Sequence, residues 1–359
     1  MQNELTESEV LKYITEIFDI LNKNFDVTTK NKMSYNDILD MLNDLYALFN
    51  RYFELNQVSA SKLCVKKYIP LLNLMYKIDI KNKVEYEKQL HNAYRIAART
   101  SLEHYFIYRE WDDEPSNKFF APRYEAIIGY IHYLEEIVTN PNFRLLIFNA
   151  MSGFGKTFPE KVSEAWAFGV DPTKTVLSLC SNEDVVKGGS RVVLDEIKSD
   201  WFGEVFPDMK YDENDRNYFL KETEGTWKLK KCKLNASYYA KTTQSNVVGV
   251  RASQRIHIDD LYADYKEALV QSLNEYYFNK YNTVWKKRFV QNEIPKVVVT
   301  GTLWASGDFI ALLINNCRKH MKFHKHPKYK YTYVSEDGST VIIQVPASDR
   351  KSTRLNSSH

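Results

Sequence analysis

An apolar run, a glycine-containing loop and a helical run follow one another from residue 143 onward, and this succession constrains the fold most. Residues 143–149 are rich in Phe, Leu and Ile, as expected of a buried strand. In a strand–loop–helix unit, the backbone N–H groups of the loop point at phosphate oxygens, and the helix N-terminus favours negative charge. The sequence therefore predicts a nucleotide-binding loop of these residues: Ala150, Met151, Ser152, Gly153, Phe154, Gly155, Lys156 and Thr157.

Two residues at the end of this loop have distinct expected roles. The Lys156 ammonium can reach the β- and γ-phosphates as a catalytic group, so we expect it to be exposed to ligand rather than buried. The Thr157 hydroxyl can bind Mg²⁺, and the predicted ligands are therefore ATP and Mg²⁺. Ala150 stands where the usual pattern has its first glycine, and an ordinary glycine turn is the alternative interpretation.

A second apolar run, residues 255–258, ends in two carboxylates, Asp259 and Asp260. Such a pair at the end of a buried strand can complete an ATP site. Asp259 is predicted to hold Mg²⁺, directly or through water, and Asp260 to orient the attacking water, a task usually given to a glutamate. In the alternative interpretation, one of the two is the N-cap of a helix predicted over residues 261–277.

A third apolar run, residues 296–300, ends in small polar residues: Thr300, Gly301 and Thr302. In motor ATPases, a residue at the end of such a neighbouring strand senses the γ-phosphate and couples hydrolysis to movement. Taken alone, the same three residues are a turn signal.

Periodicity in the first 118 residues is helical. A capping-box pattern begins at Thr6, and a second helix start lies at Ser34. Apolar stripes follow both starts, and helices are also predicted over residues 85–105 and 123–137. The stripes predict the core of a helical bundle, and a face that docks a partner is the alternative. The stripe residues are Val10, Ile14, Ile17 and Leu21, then Ile38, Leu42, Leu45 and Phe49.

After residue 140, short strand-like runs alternate with helices, which predicts an α/β fold with a mainly parallel sheet. The last eleven residues, 349–359, have no periodicity and resemble a translated sequencing adapter. The predicted domains are a helical region at 1–118 and an ATPase domain at 119–348, followed by an artefact tail at 349–359, for which a natural polar tail is the alternative. In the alternation after residue 140, the other strand-like run is residues 175–180, and helices are predicted over residues 184–199 and 261–277.

Bulk composition limits the classes of protein that fit. The 359 residues are 44% hydrophobic and 26% charged, which suits two packed domains. No apolar run approaches the roughly 18 residues that span a bilayer, so no membrane is expected. The four cysteines are far apart and form no CxxC pair, which favours a reducing compartment. The net charge of +3 does not decide for or against nucleic acid.

The loop, the acidic strand and the Thr-Gly-Thr strand, in this order, resemble the ATPase domain of tailed-phage terminase large subunits. Residues 193–208 are similar to the segment after the family's second strand, and residues 245–251 to its approach to the acidic strand. Residues 119–123 sit where the family has its adenine-side motif. The resemblance covers roughly residues 119–345.

This resemblance implies a P-loop NTPase of the ASCE type, with the acidic pair on a neighbouring strand and Thr300, Gly301 and Thr302 as the coupling motif. It implies a motor that hydrolyses ATP to move double-stranded DNA into a procapsid. The implied partners are the DNA, the terminase small subunit, the portal and further copies of the chain in a ring. The implied location is the host cytoplasm.

The sequence departs from the family pattern at several points. The loop lacks the arginine that many members carry, Asp260 is shorter than the usual glutamate, and residues 1–118 have no clear counterpart. The family's nuclease domain needs clustered carboxylates. Between residues 302 and 348 the acidic residues are Asp308, Glu336 and Asp337, the last two in a predicted hairpin turn. Nuclease activity is therefore expected only in a longer protein.

Three other functions fit parts of this pattern: a helicase, a phosphotransferase acting on a small molecule, and a non-catalytic nucleotide-binding module. Several local signals also stay open. The basic segment 318–330 suits a DNA backbone, a solvated face or an interdomain connector. The lysines at 228–233 suit an exposed strand or hairpin arm, with a DNA contact as the alternative. Cys317, with His320, His324 and His326, matches no familiar zinc spacing. Arg251 and Arg255 are candidates for a charge-stabilising arginine.

Overall fold

A computed structural model describes residues 7–25, 34–55, 58–79 and 81–346. The chain divides into two compact units between residues 113 and 114, whereas the sequence placed the boundary at 118. The capping box predicted at Thr6 and the tail at 349–359 lie outside the described residues.

The first unit is built of helices. Its elements are α1 (Glu7–Phe25), α2 (Tyr35–Glu54), α3 (Val58–Leu63), a π-helical turn (Cys64–Tyr68), α4 (Ile69–Ile78), α5 (Lys83–Ala98) and α6 (Leu102–Arg109).

The stripe residues of this unit whose side chains the structure describes lie in or against its core; the side chain of Val10 lies outside that description. Ile14, Ile17 and Leu21 of α1 are buried, as are Leu42, Leu45 and Phe49 of α2, while Ile38 is partly buried against them. Ser34 begins α2 with a reciprocal capping box, because its hydroxyl accepts from the Asp37 backbone N–H and its own N–H donates to the Asp37 carboxylate.

The helical pattern predicted over residues 85–105 does not form one continuous helix. It is two helices, α5 and α6, because the chain leaves the helical path at Ser101, whose backbone is extended. Residues 100 and 101 are Thr and Ser, whose hydroxyl side chains favour caps over helix interiors.

The second unit contains the remaining elements. Its α-helices are α7 (Tyr124–Thr139), α8 (Thr157–Val170), α9 (Glu183–Lys198), α10 (Asp200–Val205), α11 (Tyr265–Ala268), α12 (Gln271–Lys280) and α13 (Phe309–His320), and short 3₁₀ or π-helical turns cover Ala121–Arg123, Pro207–Met209, Tyr281–Trp285 and Lys286–Arg288. Its strands are β1 (Leu145–Asn149), β2 (Val176–Cys180), β3 (Phe219–Thr223), β4 (Thr226–Leu229), β5 (Tyr238–Thr242), β6 (Arg255–Asp259), β7 (Val297–Gly301), β8 (Phe323–Lys325), β9 (Thr332–Ser335) and β10 (Thr340–Gln344).

The described strands form one sheet in the order β3-β4-β5-β2-β6-β7-β1-β10-β9-β8. The six strands from β5 to β10 in this order are parallel, and an antiparallel hairpin extends each edge. The α/β class with a mostly parallel sheet flanked by helices is thus confirmed. The central strands β1, β2, β6 and β7 are buried along their whole length, which explains their continuous apolar runs.

The strand order corrects one expectation. The acidic pair does not follow a strand next to the loop's strand, because β7 pairs with both β1 and β6 and separates them. The helix predicted over residues 261–277 is also wrong. Leu261 and Tyr262 are buried in the core outside any helix, and α11 and α12 are short and separate.

Among the described residues, no helix combines the length and apolar character needed to cross a membrane.

Candidate functional site

The carboxyl ends of β1, β6 and β7 meet at one edge of the sheet. The register pairs Asp259 with Thr300, and Asn149 with Gly301. Parallel strands bring their carboxyl ends to the same edge, where ligands of open α/β sheets bind. The three segments singled out in the sequence are therefore brought together.

The loop after β1 has a backbone that requires glycine at two positions. Gly153 and Gly155 have φ values of 79° and 86°, in the left-handed region that other residues rarely adopt. A Cβ atom on Gly155 would lie 2.8 Å from the Phe119 ring. Ala150 and Phe154 are buried, while Ser152 and Gly153 are exposed and Met151 is partly buried. The loop thus presents its middle to solvent and anchors its ends.

Lys156 is buried, with 5% of its surface exposed, so the expectation of an exposed ammonium is wrong. Three oxygen atoms surround its Nζ: the carbonyls of Ala150 and Met151, at 3.2 and 3.3 Å, and the Thr302 hydroxyl at 3.2 Å. Because these carbonyls belong to the loop itself, the ammonium lies inside the loop rather than at the protein surface.

Asp259 links α8, the helix after the loop, to strand β7 through two hydrogen bonds. Its Oδ2 accepts a hydrogen bond of 3.2 Å from the Thr157 hydroxyl, and its Oδ1 accepts one of 2.7 Å from Thr300. The side chain is buried, so both oxygens are held by neighbours rather than by bulk water. The two predicted magnesium ligands, Thr157 and Asp259, are in direct contact.

Asp260 follows the strand with a φ of 34°, in the left-handed region where a non-glycine residue is uncommon. Its backbone N–H donates to the Thr300 carbonyl, and its carbonyl accepts from Ser181. Partial desolvation and the neighbouring Asp259 charge raise the pKa of its carboxyl group above the ordinary value. The exposed side chain therefore lies beside a buried carboxylate in a constrained backbone.

The N-cap alternative for the acidic pair is not what the structure shows. The N-cap of α11 is Asp264, whose carboxylate accepts from the Glu267 backbone N–H. Asp259 and Asp260 instead lie at the edge of the sheet where β1, β6 and β7 end.

Thr300, Gly301 and Thr302 contact both the loop and the acidic strand. The Thr302 hydroxyl lies 3.2 Å from Lys156 Nζ and 3.2 Å from the Ala150 carbonyl. A Cβ atom on Gly301 would lie 2.9 Å from the end of the Ile310 side chain, so the Ile310 side chain packs closely against this position. The segment after β7 is held to β1 by Asn149, whose side chain accepts from the Leu303 N–H.

A buried network of charged side chains on α8 was missed by the sequence reasoning. Glu160, Lys161 and Glu164 are all buried, within two turns of the loop. Lys161 Nζ lies 3.0–3.1 Å from Glu164, Ser178, Tyr238 and His257. The signal that was available is the spacing of Glu160 and Glu164 by four residues, one helical turn, on a helix with few other polar residues.

Opposite charges stabilise this network. Burial opposes the charge on Lys161, but Glu164 and its neighbours outweigh it, and the pKa of Lys161 is raised. Burial likewise opposes the charge on Glu164, but Lys161, His257 and Arg255 lower the pKa of its carboxyl group. Glu160, Glu164 and His257 are close enough together to surround a metal ion. The cations of Lys161 and Arg255 already lie 3.1 and 3.5 Å from the two carboxylates.

The candidate arginines are engaged away from the acidic pair. Arg255 begins β6, four residues before Asp259, and is fully buried against Ser163 and Gln254. Arg251 is exposed and donates to the Lys287 carbonyl.

Phe119 and Arg123 lie against α8, the helix that follows the loop. They belong to the segment that the resemblance places at an adenine-side motif. The Phe119 ring contacts Phe158 at a centroid distance of 4.8 Å, and the Arg123 guanidinium lies 4.6 Å from the Phe119 centroid.

The remaining sequence signals lie outside this site. Among the described residues, Cys317 and the nearby histidines form no metal-binding group. Asp308 is buried as the N-cap of α13, whereas Glu336 and Asp337 are exposed in the turn of the β9–β10 hairpin, so the three acids do not converge. The hairpin predicted there is confirmed.

Comparison with protein-family models and with curated proteins gave no match.

Proposed function

We propose that this chain binds a magnesium nucleotide at residues 150–157 and hydrolyses ATP as a P-loop NTPase of the ASCE type. The observation that carries the proposal is a single hydrogen-bonded cluster from three separate segments. Lys156 contacts Thr302, and Asp259 accepts from both Thr157 and Thr300. These are the residue types that an ATP site needs, and they are in contact although they are far apart in sequence. Asp259 lies 102 residues after Thr157, and Thr302 lies 146 residues after Lys156.

The donor atoms at Thr157 and Asp259 fit magnesium. A hydroxyl and a carboxylate are hard oxygen ligands, which Mg²⁺ prefers together with phosphate oxygens and water. When bound, Mg²⁺ would neutralise charge on the phosphates. Thr157 Oγ1 and Asp259 Oδ2, 3.2 Å apart, are the atoms that would hold it.

The chain's own residues supply the remaining chemistry. Lys156 carries a positive charge inside the loop, where it can stabilise charge on the transferring phosphoryl group. Asp260 orients the attacking water, and its raised pKa makes it a better proton acceptor than an ordinary aspartate. The positive φ values of Gly153 and Gly155 leave the loop backbone free to approach a phosphate closely.

The position of β7 supports a coupling role for the residues at its carboxyl end. One strand, β7, separates the loop strand from the acidic strand; it ends at Thr300 and Gly301, and Thr302 follows it. Because Thr302 contacts Lys156 and Thr300 contacts Asp259, a change at the phosphates can be transmitted to β7 through both. This contact pattern suits a coupling motif better than a simple turn.

The proposal extends to the motor of viral DNA packaging, with double-stranded DNA as the translocated substrate. Its support is the motif order over residues 119–345, which resembles terminase large subunits. By that resemblance, the chain would work as a ring in the host cytoplasm with the small subunit, the portal and the procapsid.

The test is ATP turnover by the purified chain with and without linear double-stranded DNA. A packaging motor is expected to be stimulated by the duplex. Stimulation by single-stranded or forked DNA alone would indicate a helicase, and dependence on a small acceptor a phosphotransferase. Nucleotide binding without turnover under all conditions would indicate a non-catalytic module.

A further inference from the structure

His257 connects the buried network on α8 to the proposed magnesium site. It lies at the centre of β6, is fully buried and has hydrogen-bonding partners on both sides of its ring. Nδ1 lies 3.1 Å from Lys161 Nζ and 3.2 Å from Glu164 Oε1. Nε2 lies 3.0 Å from the Thr300 hydroxyl.

The direction of the hydrogen bond between His257 and Thr300 follows from the neighbouring bond. Thr300 donates its single hydroxyl proton to Asp259 Oδ1, at 2.7 Å. A hydroxyl has one proton and two lone pairs, so towards His257 it can only accept. The proton of this bond therefore belongs to His257 Nε2, which donates to Thr300.

The resulting chain fixes the Asp259 carboxylate. His257 donates to Thr300, Thr300 donates to Asp259 Oδ1, and Oδ2 is left on the side of Thr157. At the other ring nitrogen, Nδ1, the Lys161–Glu164 ion pair contacts the imidazole and holds it in place. Outer-shell partners of this kind commonly set the orientation of metal-binding carboxylates.

We propose that His257 is a positioning residue for the magnesium site, acting on Asp259 through the Thr300 hydroxyl. The inference rests on the proposed function, because it assumes that Asp259 and Thr157 hold the ion. It assigns Lys161 and Glu164 the role of anchoring the His257 ring, and it gives Thr300 a second role beside coupling.

The experiment measures binding of a fluorescent ATP analogue as a function of Mg²⁺ concentration, without requiring turnover. His257→Leu removes both ring nitrogens at similar volume and should raise the Mg²⁺ concentration for half-maximal binding by about tenfold, as outer-shell substitutions typically do. His257→Gln places an amide N–H near the position of Nε2 and should recover most of the parent behaviour. Should His257→Leu fail to fold, His257→Asn is compared with His257→Gln, since its shorter amide cannot reach Thr300.

A double-mutant cycle with Thr300→Val tests the route of the effect. If His257 acts through the Thr300 hydroxyl, the double variant should need no more Mg²⁺ than Thr300→Val alone. Tyr238→Phe is the matched control, because it removes a hydroxyl that accepts from Lys161 and donates to Glu164, while the Lys161–Glu164 ion pair and the chain from His257 to Asp259 stay in place. It should lower thermal stability and leave the Mg²⁺ dependence unchanged.

The outcomes separate the inference from the function on which it rests. Multiplying effects in the double variant, or equal damage from His257→Leu and His257→Gln, would overturn the positioning role while the parent still bound nucleotide with Mg²⁺. A shift caused by Tyr238→Phe as large as that of His257→Leu would also overturn it, since the network would then act only through stability. A parent chain whose nucleotide binding ignores Mg²⁺ would overturn the proposed function itself.

Discussion

Lys156 is enclosed by oxygen atoms of its own loop and of Thr302, so its charge stabilises the loop, and in the proposed function it would also stabilise a bound phosphate. Lys156→Ala should therefore lower ATP turnover by about 10²–10³-fold or more, the range for removal of one preorganised electrostatic group. The measurement is steady-state phosphate release at saturating ATP. Turnover at the parent rate would refute the assignment of the loop.

The burial of Lys156 requires a control for stability. A folded but inactive Lys156→Ala variant should show a thermal unfolding transition within a few degrees of the parent. Lys174→Ala is the matched variant, because Lys174 is partly exposed before β2 and pairs with Glu293, away from the loop. It should retain full turnover.

The two carboxylates at the end of β6 should separate into binding and chemistry. Asp259 contacts Thr157 and is buried, so Asp259→Ala should weaken magnesium-dependent nucleotide binding. Asp260→Asn should keep binding and slow turnover by about 10²–10⁴-fold, the contribution of a positioned general base. The measurements are the nucleotide Kd and kcat. Asp264→Asn, at the exposed N-cap of α11, is the control, and parent-like turnover of Asp260→Asn would place the base elsewhere.

At the scale of elements, buried strands were the most predictable features. The runs that became β1, β2, β6 and β7 are apolar along their length because both faces of these strands are covered. The residues that follow these runs therefore indicated the candidate site from the sequence alone. The strand order was not accessible in the same way, since nothing in the local sequence says that β7 lies between β1 and β6.

The failures have a common physical cause in long-range contacts. Leu261 and Tyr262 fit a helical stripe, but they pack into the core in irregular backbone, and the Tyr262 hydroxyl bonds Asn274 and the Phe309 N–H. The partners of Lys161 on β2, β5 and β6 lie 17, 77 and 96 residues away, too far for any periodicity to predict.

Two glycines, one in α8 and one in the neighbouring α9, test how tightly these helices are packed. A Cβ atom on Gly169, in the last turn of α8, would lie 2.3 Å from the buried Phe206 ring. Gly169→Ala should therefore destabilise the chain by about 1–3 kcal/mol, the usual cost of overpacking. Gly188 of α9 has open space around its Cβ position, so Gly188→Ala should stabilise by about 0.5–1 kcal/mol. Thermal or denaturant unfolding measures both, and shifts of the same sign would contradict this packing.

At the scale of the whole molecule, positive charge is concentrated on one edge of the sheet. No acidic residue occurs between Asp308 and Glu336, although the chain carries 46 in total. We call the exposed cations of this stretch the basic edge. They lie at the end of α13, along the outermost strand β8 and in the loop that follows it: Arg318, Lys319, Lys322, Lys325, Lys328 and Lys330.

Two physical explanations compete for the basic edge. Lysines on an outermost strand prevent other chains from pairing with it. A row of cations without acidic residues also suits the phosphate backbone of a duplex, which a DNA motor must contact. Salt dependence separates the two, because each lost phosphate contact lowers the slope of log affinity against log salt by about 0.9 for duplex DNA.

The prediction therefore compares two variants with the same loss of charge. Replacing Lys319, Lys322, Lys325 and Lys328 by Gln should weaken duplex binding and reduce the salt slope, as measured by fluorescence anisotropy between about 50 and 200 mM salt. The control replaces the lysines of the β4 arm, Lys228, Lys230, Lys231 and Lys233, and should leave both nearly unchanged. Basal ATP turnover should be unaffected in either, since neither set touches the loop. Equal weakening by the two variants would mean that the charge acts without a defined surface. Unchanged affinity together with self-association of the first variant would show that the basic edge only shields β8.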